Sequence, residues 1–288
     1  MIVVKLMGGL GNQMFQYALG RRLAHERGVP LKLDLSWFRD AAETGVDTVR
    51  EYALDGWHAQ ASIASAEDLS RFPGNEGLLA RLGLMRSPLL RERGFRFDAS
   101  VLRAGSSAYL TGYWQSEKYF NSIRDILLRD FTLATGPCAH AEALLAQVSE
   151  PSAVAVHVRR GDYARNTRTQ EYHGLCSIEY YLEASRRIAE RVSEPSFYVF
   201  SDDPDWVRDS LKLHWPTTMV THDGGCTPHQ DMWLMSRCSH HIIANSSFSW
   251  WGAWLCPRPG GTVIAPRQWF RDPSIDTKDL LLERWARI

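Results

Sequence analysis

From residue 136 onward the chain alternates short apolar runs with longer stretches of helical pattern, and that alternation limits its fold more than any other feature. The apolar runs are Ala153–Val158, Phe197–Phe200, Thr218–Val220, His241–Ala244 and Val263–Ala265. Between them lie Ile178–Val192, Pro204–Leu213, Pro228–Ser236 and Ser247–Leu255. Short runs rich in β-branched and aromatic residues read as buried strands, and the longer stretches read as helices. Strand and helix in alternation predict a parallel sheet covered on both faces, an α/β architecture. Two of the helices have readable starts. Thr227-Pro228-His229-Gln230 spells a capping box with proline in the first helical position, and Asp203-Pro204 repeats the cap-then-proline order.

The first half carries the same logic more faintly. Ile2–Leu6 predicts a strand, Gly8–Asn12 a turn, and Asn12 to about Arg27 a helix. Met14, Tyr17, Ala18 and Leu23 fall at helical spacing, and Gly28 stands at the expected C-terminal stop. Leu31–Asp34 and Tyr109–Gly112 read as strands and Glu117–Arg129 as a helix, while 36–107 is irregular, with weak helical signals at Ala66–Phe72 and Glu76–Leu84. The division expected is two α/β halves, 1–135 and 136–288, with a cleft between them, a preferred place for small-molecule sites.

The chain has 288 residues, enough for two such halves. Lys+Arg and Asp+Glu both number 33, so the basic footprint of a nucleic-acid binder is missing and no nucleic-acid partner is expected. No apolar run approaches the ~20 residues that span a bilayer. Met1–Leu6 lacks a basic n-region and a cleavage pattern, and reads as the first strand. The five cysteines (Cys138, Cys176, Cys226, Cys238 and Cys256) are odd in number and scattered, with no C-x-x-C pair. Neither a zinc site nor a disulfide framework is indicated. Each cysteine reads as a small buried hydrophobe, and a reducing cytoplasm is the expected location.

Chemistry concentrates where strands end. Val154–Val158 runs into Arg159-Arg160-Gly161-Asp162, and in α/β sheets ligands bind just past the carboxyl ends of strands. Two planar guanidiniums match the oxygens of a phosphate, and fixed cations lower the barrier to the departure of a pyrophosphate. The plainer alternative is a solvated basic loop; His157, on the strand, also fits a satisfied core histidine. Ser201-Asp202-Asp203-Pro204-Asp205 contains a D-x-D that could hold a metal, but Asp203 reads better as a helix cap, which leaves Asp202 to accept from a base or ribose; the competing reading is a solvated acidic turn. Asn245-Ser246-Ser247-Phe248 opens a helix after a strand, where amides and hydroxyls suit phosphate, and Trp250, Trp251 and Trp254 would pack behind it. Gly8-Gly9-Leu10-Gly11-Asn12 follows the first strand but fails both the dinucleotide fingerprint and the P-loop pattern, which disfavours a dehydrogenase. Its Asn12-Gln13 amides could bind hydroxyls or phosphate without a charge. Glu171 and His173, in Glu171-Tyr172-His173-Gly174, could act as a general base or be ordinary solvated loop residues.

Three segments together resemble the motifs of bacterial α-1,2-fucosyltransferases of glycosyltransferase family 11: Gly8–Ala18, His157–Tyr163 and Asn245–Gly252. His173–Ser177 and Asp231–Cys238 are similar too, and the resemblance runs in order from residue 3 to about 266. It implies a GT-B fold, two Rossmann-like domains with a cleft between them: an acceptor-side domain, 1–135, and a GDP-fucose-binding domain, 136–288. It implies GDP-β-L-fucose as donor, inverting transfer to the 2-hydroxyl of a terminal β-galactoside, and no essential metal or other cofactor. By the same resemblance Arg159 sits on the donor diphosphate, and Arg160 and Asp162 support the diphosphate or the loop. His157 orients this group. Ser246, Ser247 and Phe248, with Asn245, line the nucleotide pocket, and Asp202 helps to hold the nucleotide. Gly11 and Asn12 approach the fucose or the β-phosphate. The base stays open among His173, Glu171, Asp162 and none at all. Residues 36–107 match nothing in the family pattern, so acceptor preference is not readable. A lipid-linked acceptor would bring the enzyme to the membrane surface as a peripheral protein. The rival readings are a fucosyltransferase of another linkage and a non-catalytic protein that binds a nucleotide sugar or glycan.

Overall fold

The computed structural model describes residues 1–44, 50–72, 88–161, 170–172, 174–221, 226–258 and 260–288, with the side chains of 41–44 left aside. The expected helix Glu76–Leu84 and the candidates Asp162 and His173 lie outside the described residues. The chain divides into two compact units, one of Met1–Thr132 with Asp276–Leu280, the other of Leu133–Ile275 with Leu281–Ile288.

The first unit is built on a parallel sheet of β1 (Ile2–Lys5), β2 (Leu31–Asp34), β3 (Ser62–Ile63), β4 (Leu89–Arg91) and β5 (Ala108–Thr111), in the order β3-β2-β1-β5-β4. Its helices are α1 (Leu10–Arg27), α2 (Ser36–Thr44), α3 (Ala66–Ser70) and α4 (Arg124–Asp130). β1 is a continuous apolar run because it is central, with Ile2 opposite both Leu31 and Ala108. α1 buries Met14, Phe15, Tyr17, Ala18 and Leu23 and stops at Gly28, whose φ of 62° is left-handed, as expected. The expected single helix Glu117–Arg129 is instead two single turns, Glu117–Tyr119 and Asn121–Ile123, followed by α4. Phe120 breaks it: its φ is −144° and its ring is fully buried against Phe15, so packing overrides local propensity. The segment Asp276–Leu280 belongs to this unit, not to the second half as a boundary at 135 implies. Asp279 accepts from Lys118 Nζ (2.6 Å) and from the Phe97 amide (3.0 Å).

The second unit holds β6 (Ala153–Val158), β7 (Ser196–Ser201), β8 (Thr217–Val220), β9 (His240–Ile242), β10 (Val263–Ala265) and β11 (Ala286–Arg287), all parallel, in the order β11-β10-β9-β6-β7-β8. Its helices are α5 (Ala139–Val148), α6 (Ile178–Ala189), α7 (Pro204–Ser210), α8 (Pro228–Arg237) and α9 (Ser247–Trp254). Both sheet faces are covered. Val154, Val156 and Val158 pack with Tyr181, Ala184 and Ile188 of α6, while Ala153 and Ala155 pack with Ala141, Val148, Leu234 and Met235 of α5 and α8. α5 and the two-residue β11 carry no signal in the pattern reading.

One expectation is overturned here. Cys138 and Cys226 form a disulfide with a Cα–Cα distance of 5.7 Å across 88 residues of sequence, while Cys176, Cys238 and Cys256 are thiols. Cys138 caps the start of α5, and Cys226 lies just ahead of α8. Both pack against the cluster that α5 and α8 share, so distant positions converge. With this pair bonded, cysteine usage no longer argues for a reducing compartment. No helix among the described residues is long and apolar enough to cross a membrane.

Candidate functional site

Each sheet has a point where the chain order reverses. In the second unit the chain runs from β6 out to β7 and β8, then returns to β9 on the other side of β6. In α/β sheets such a reversal point, here at the carboxyl ends of β6 and β9, is where ligands bind. Arg159, Arg160, Gly161, Ser246, Ser247 and Phe248 all follow these two strands, and Asp202 follows β7 next door.

Asp202 organises this edge. Its Oδ2 lies 2.7 Å from Arg159 Nη1, and its Oδ1 accepts from the Arg160 amide at 2.8 Å. The Gly161 amide also donates to it, and a Cβ on Gly161 would overlap the carboxylate. A side chain at 161 would therefore have to push the Asp202 carboxylate aside. Burial works against the charge on Asp202, but the Arg159 guanidinium and the two amides outweigh it and hold the carboxyl below its ordinary value. The free acceptor expected for a base or ribose is thus already engaged, and Asp202 fixes the arginine turn.

Arg160 is held separately. Its guanidinium carbon stands 3.7 Å above the Trp206 ring centre, and its Nε is 3.4 Å from Asp203 Oδ2. Asp203 also accepts from the Trp206 amide at 3.3 Å as the cap of α7, as its sequence context predicts. Asp205 pairs with Arg208 at 2.7 Å, so the two carboxylates of the D-x-D are spent on separate local partners.

His157 is buried, and its Nδ1 has no hydrogen-bond partner among the described residues. Burial, aided by Arg159 and opposed by Asp202, holds the imidazole well below its ordinary value, so it is neutral at pH 7. Its ring lies 5.4 Å from that of Phe248, which joins the end of β6 to the start of α9. Ser246 caps α9, accepting from the Phe248 amide at 3.3 Å, while Ser247 and Phe248 are half-buried at the edge. Behind them Trp250, Trp251 and Trp254 are fully buried, with Trp251 5.1 Å from each of the other two. Asn245 faces inward, its amide reaching the carbonyls of Trp269 (3.2 Å) and Gly174 (3.4 Å), so it ties loops together beneath the edge. Glu171 is exposed, and no described contact brings it to the arginine turn.

The first unit has its own reversal, between β1 and β5. Gly9 caps α1, Gly11 is buried in its first turn, and Gly8 adopts φ +77° with Asn12 Nδ2 where a Cβ would stand. Asn12 Oδ1 accepts from Gln115 Nε2 at 2.8 Å. Gln13 is fully buried and wholly committed: it donates to the carbonyls of Gly8 (2.9 Å) and Glu51 (2.8 Å) and accepts from the Ala53 amide (2.9 Å). Gln16 accepts from the Met7 amide at 3.0 Å and donates to its carbonyl at 3.2 Å. Of the Asn12-Gln13 pair, then, Gln13 is spent on the backbone, and Asn12 is half-buried. Glu92, after β4, accepts from the amides of Tyr113 (2.6 Å) and Trp114 (2.8 Å), which braces Trp114 at a φ of +56°.

Gln115, Glu92 and Trp206 were not singled out by the sequence reading. A signal for Gln115 existed, because it stands just past the expected strand Tyr109–Gly112, the relation that drew attention to Arg159. Trp206 sits one residue inside the first turn of a capped helix, and nothing local shows that an arginine from another strand end lies over it.

A family model described as glycosyl transferase family 11 matches residues 90–288. An Escherichia coli protein named alpha-1,2-colitosyltransferase is 36% identical over 100% of this chain and 98% of its own length. A rabbit (Oryctolagus cuniculus) protein named galactoside alpha-(1,2)-fucosyltransferase 2 is 28% identical over 92% of this chain and 68% of its own. Among solved structures, the NodZ alpha-1,6-fucosyltransferase co-crystallized with GDP superposes with a TM-score of 0.52 at 17% identity, covering 89% of this chain and 92% of that one, and so shares the two-unit α/β fold of the GT-B type.

Proposed function

The chain belongs to glycosyl transferase family 11 and is a glycosyltransferase, and on that premise we propose that it transfers L-fucose from GDP-β-L-fucose to the 2-hydroxyl of a terminal β-galactoside, with inversion to an α linkage. The observation that carries the reading is the arginine turn, in which Arg159 is set by Asp202 at the carboxyl end of the central strand of the second unit. As the sugar departs, the bond from its anomeric carbon to the diphosphate breaks and negative charge grows on the leaving GDP. A guanidinium already in place lowers that barrier without reorganising. The acceptor oxygen forms the new bond from the opposite face and gives up its proton to a base among Asp162, Glu171 and His173, or to solvent. The amides at the start of α9 serve the nucleotide phosphates, Asn12 supplies an amide to the substrate, and no metal takes part.

A relative named for an α-1,2-fucosyltransferase supports this linkage. A second reading is favoured by the 36% identical relative, which is named for colitose, a 3-deoxy form of L-fucose. Incubation with lactose and either GDP-L-fucose or GDP-colitose, followed by free GDP and product mass, decides between them. Faster turnover of GDP-L-fucose, undiminished by EDTA, is expected. Preference for GDP-colitose moves the donor assignment, and turnover of neither removes the reading.

A further inference from the structure

The turns after β1 and β5 are joined at the first unit's reversal point by one side-chain hydrogen bond, Gln115 Nε2 to Asn12 Oδ1 at 2.8 Å. Gln115 is 8% exposed, and its backbone follows the Tyr113–Trp114 turn that Glu92 braces with both carboxylate oxygens. The other half of the Asn12 amide is placed as well: its side-chain Nδ2 lies beside Gly8, where the absence of a Cβ leaves room for it. A side-chain amide can show a ligand either a carbonyl oxygen or an N–H2 group. Here the oxygen is occupied by a buried donor, so the half that remains is the N–H2.

That polarity matters for a sugar nucleotide, whose phosphate and ring oxygens accept hydrogen bonds. An N–H2 group stabilises the charge that develops on them, and a carbonyl oxygen in the same place repels it. We propose that Gln115 is a positioning residue for the transfer reaction, holding Asn12 so that it meets the substrate as a hydrogen-bond donor. The proposal rests on the reading that Asn12 serves the substrate. It assigns no contact with the substrate to Gln115 itself.

The test reverses the polarity. In Gln115→Glu an ionised partner can only accept, so at pH values that ionise it Asn12 must turn its N–H2 inward and its oxygen outward. Gln115→Met removes the bond without reversing it. With whichever GDP-sugar is turned over, Gln115→Glu is expected to lower kcat by ~10²-fold, the scale of one lost oxyanion donor. Gln115→Met should lower it by only ~10-fold, since Asn12 then samples both orientations. GDP affinity should be unchanged in both. In an Asn12→Ala background Gln115→Glu should cost nothing further, because the two act as a unit. Asn12→Asp keeps the bond to Gln115 but presents an oxygen outward, and should be as poor as Asn12→Ala; it keeps the proposal testable if a buried glutamate at 115 prevents folding. Equal losses for Gln115→Glu and Gln115→Met, multiplicative losses with Asn12→Ala, or normal kcat in Asn12→Asp would each overturn the proposal. Normal kcat in Asn12→Ala would instead remove the functional reading of Asn12, and the proposal with it.

Discussion

The two units end their central strands in turns that contain glycine, yet they fix those turns by opposite means. After β6 the clamp is ionic: Asp202 grips Arg159 and the amides of Arg160 and Gly161, while Asp203 and Trp206 hold Arg160. After β1 the clamp is neutral: Gln13 and Gln16 satisfy the backbone of Met7, Gly8, Glu51 and Ala53, and Gln115 holds Asn12. On the proposed reading, the first presents cations to a diphosphate and the second a single uncharged donor to the oxygens of a sugar. The duties separate within that contrast: Gln13 and Gln16 brace backbone and only Gln115 acts on a side chain proposed to meet the substrate, whereas the ionic clamp acts on the arginines directly.

The largest test of that separation is Arg159→Ala. It should cut turnover by ~10²-fold or more, equivalent to about 2.7 kcal/mol in the barrier, with thermal stability nearly unchanged. Normal turnover with GDP-fucose would remove the ionic turn from the chemistry. The opposite pattern is expected of Gln13→Leu, which removes the side chain that bonds the Gly8 and Glu51 carbonyls and the Ala53 amide. It should lower unfolding free energy by about 2 kcal/mol in urea titrations while GDP affinity holds, and an unchanged midpoint would show that the neutral clamp is dispensable. Gly161→Ala forces Asp202 aside and should weaken GDP binding by about tenfold in calorimetry, or about 1.4 kcal/mol. Full affinity would mean the turn tolerates displacement of its carboxylate.

The smallest effect concerns pH, because amides do not titrate and the buried histidines of the second unit do. Burial pulls His241 down to about 4; the Met235 carbonyl opposes this and His240 adds to it. Its unfolded value is about 6.5, so between pH 6.5 and about 4 the unfolded chain binds the extra proton. Stability should therefore fall as pH drops through that window, by up to about 1.4 kcal/mol per pH unit. His157, also held low by burial, acts in the same direction. Urea midpoints at pH 7 and pH 5.5 should converge in His241→Gln, and identical pH slopes in variant and parent would refute this.

How much of this could be read in the sequence follows from the range over which each signal acts. The strand Val154–Val158, the capped start at Asp203-Pro204 and the tryptophan-rich helix from Ser247 are written in consecutive residues, and the structure has them. The break at Phe120 could not be read, because a ring buried against α1 decides it. The Cys138–Cys226 bond depends on two helices meeting, and spacing along the chain is silent about that. At the site, the residue types point to an anion-binding strand end, and the structure brings Arg159, Arg160 and Asp202 together there. Which residues would touch a ligand was less legible: Asp202, Gln13 and Asn245 looked available and are engaged by their surroundings, whereas Gln115 looked ordinary. Polar side chains show their role only once their partners are known.

The short run Asp276–Leu280 has a practical consequence. The chain passes from the first unit to the second after Thr132, returns for five residues, and crosses again to supply β11. Neither unit is therefore a contiguous stretch that can be excised with one cut. A fragment ending at residue 135 would lack Asp279 and leave Lys118 and the Phe97 amide without it. Chimaeras made by joining halves of two related enzymes near that residue would have to carry 276–280 from the parent that supplied the beginning of the chain. Recombination within this family is thus constrained by a five-residue graft far from the junction.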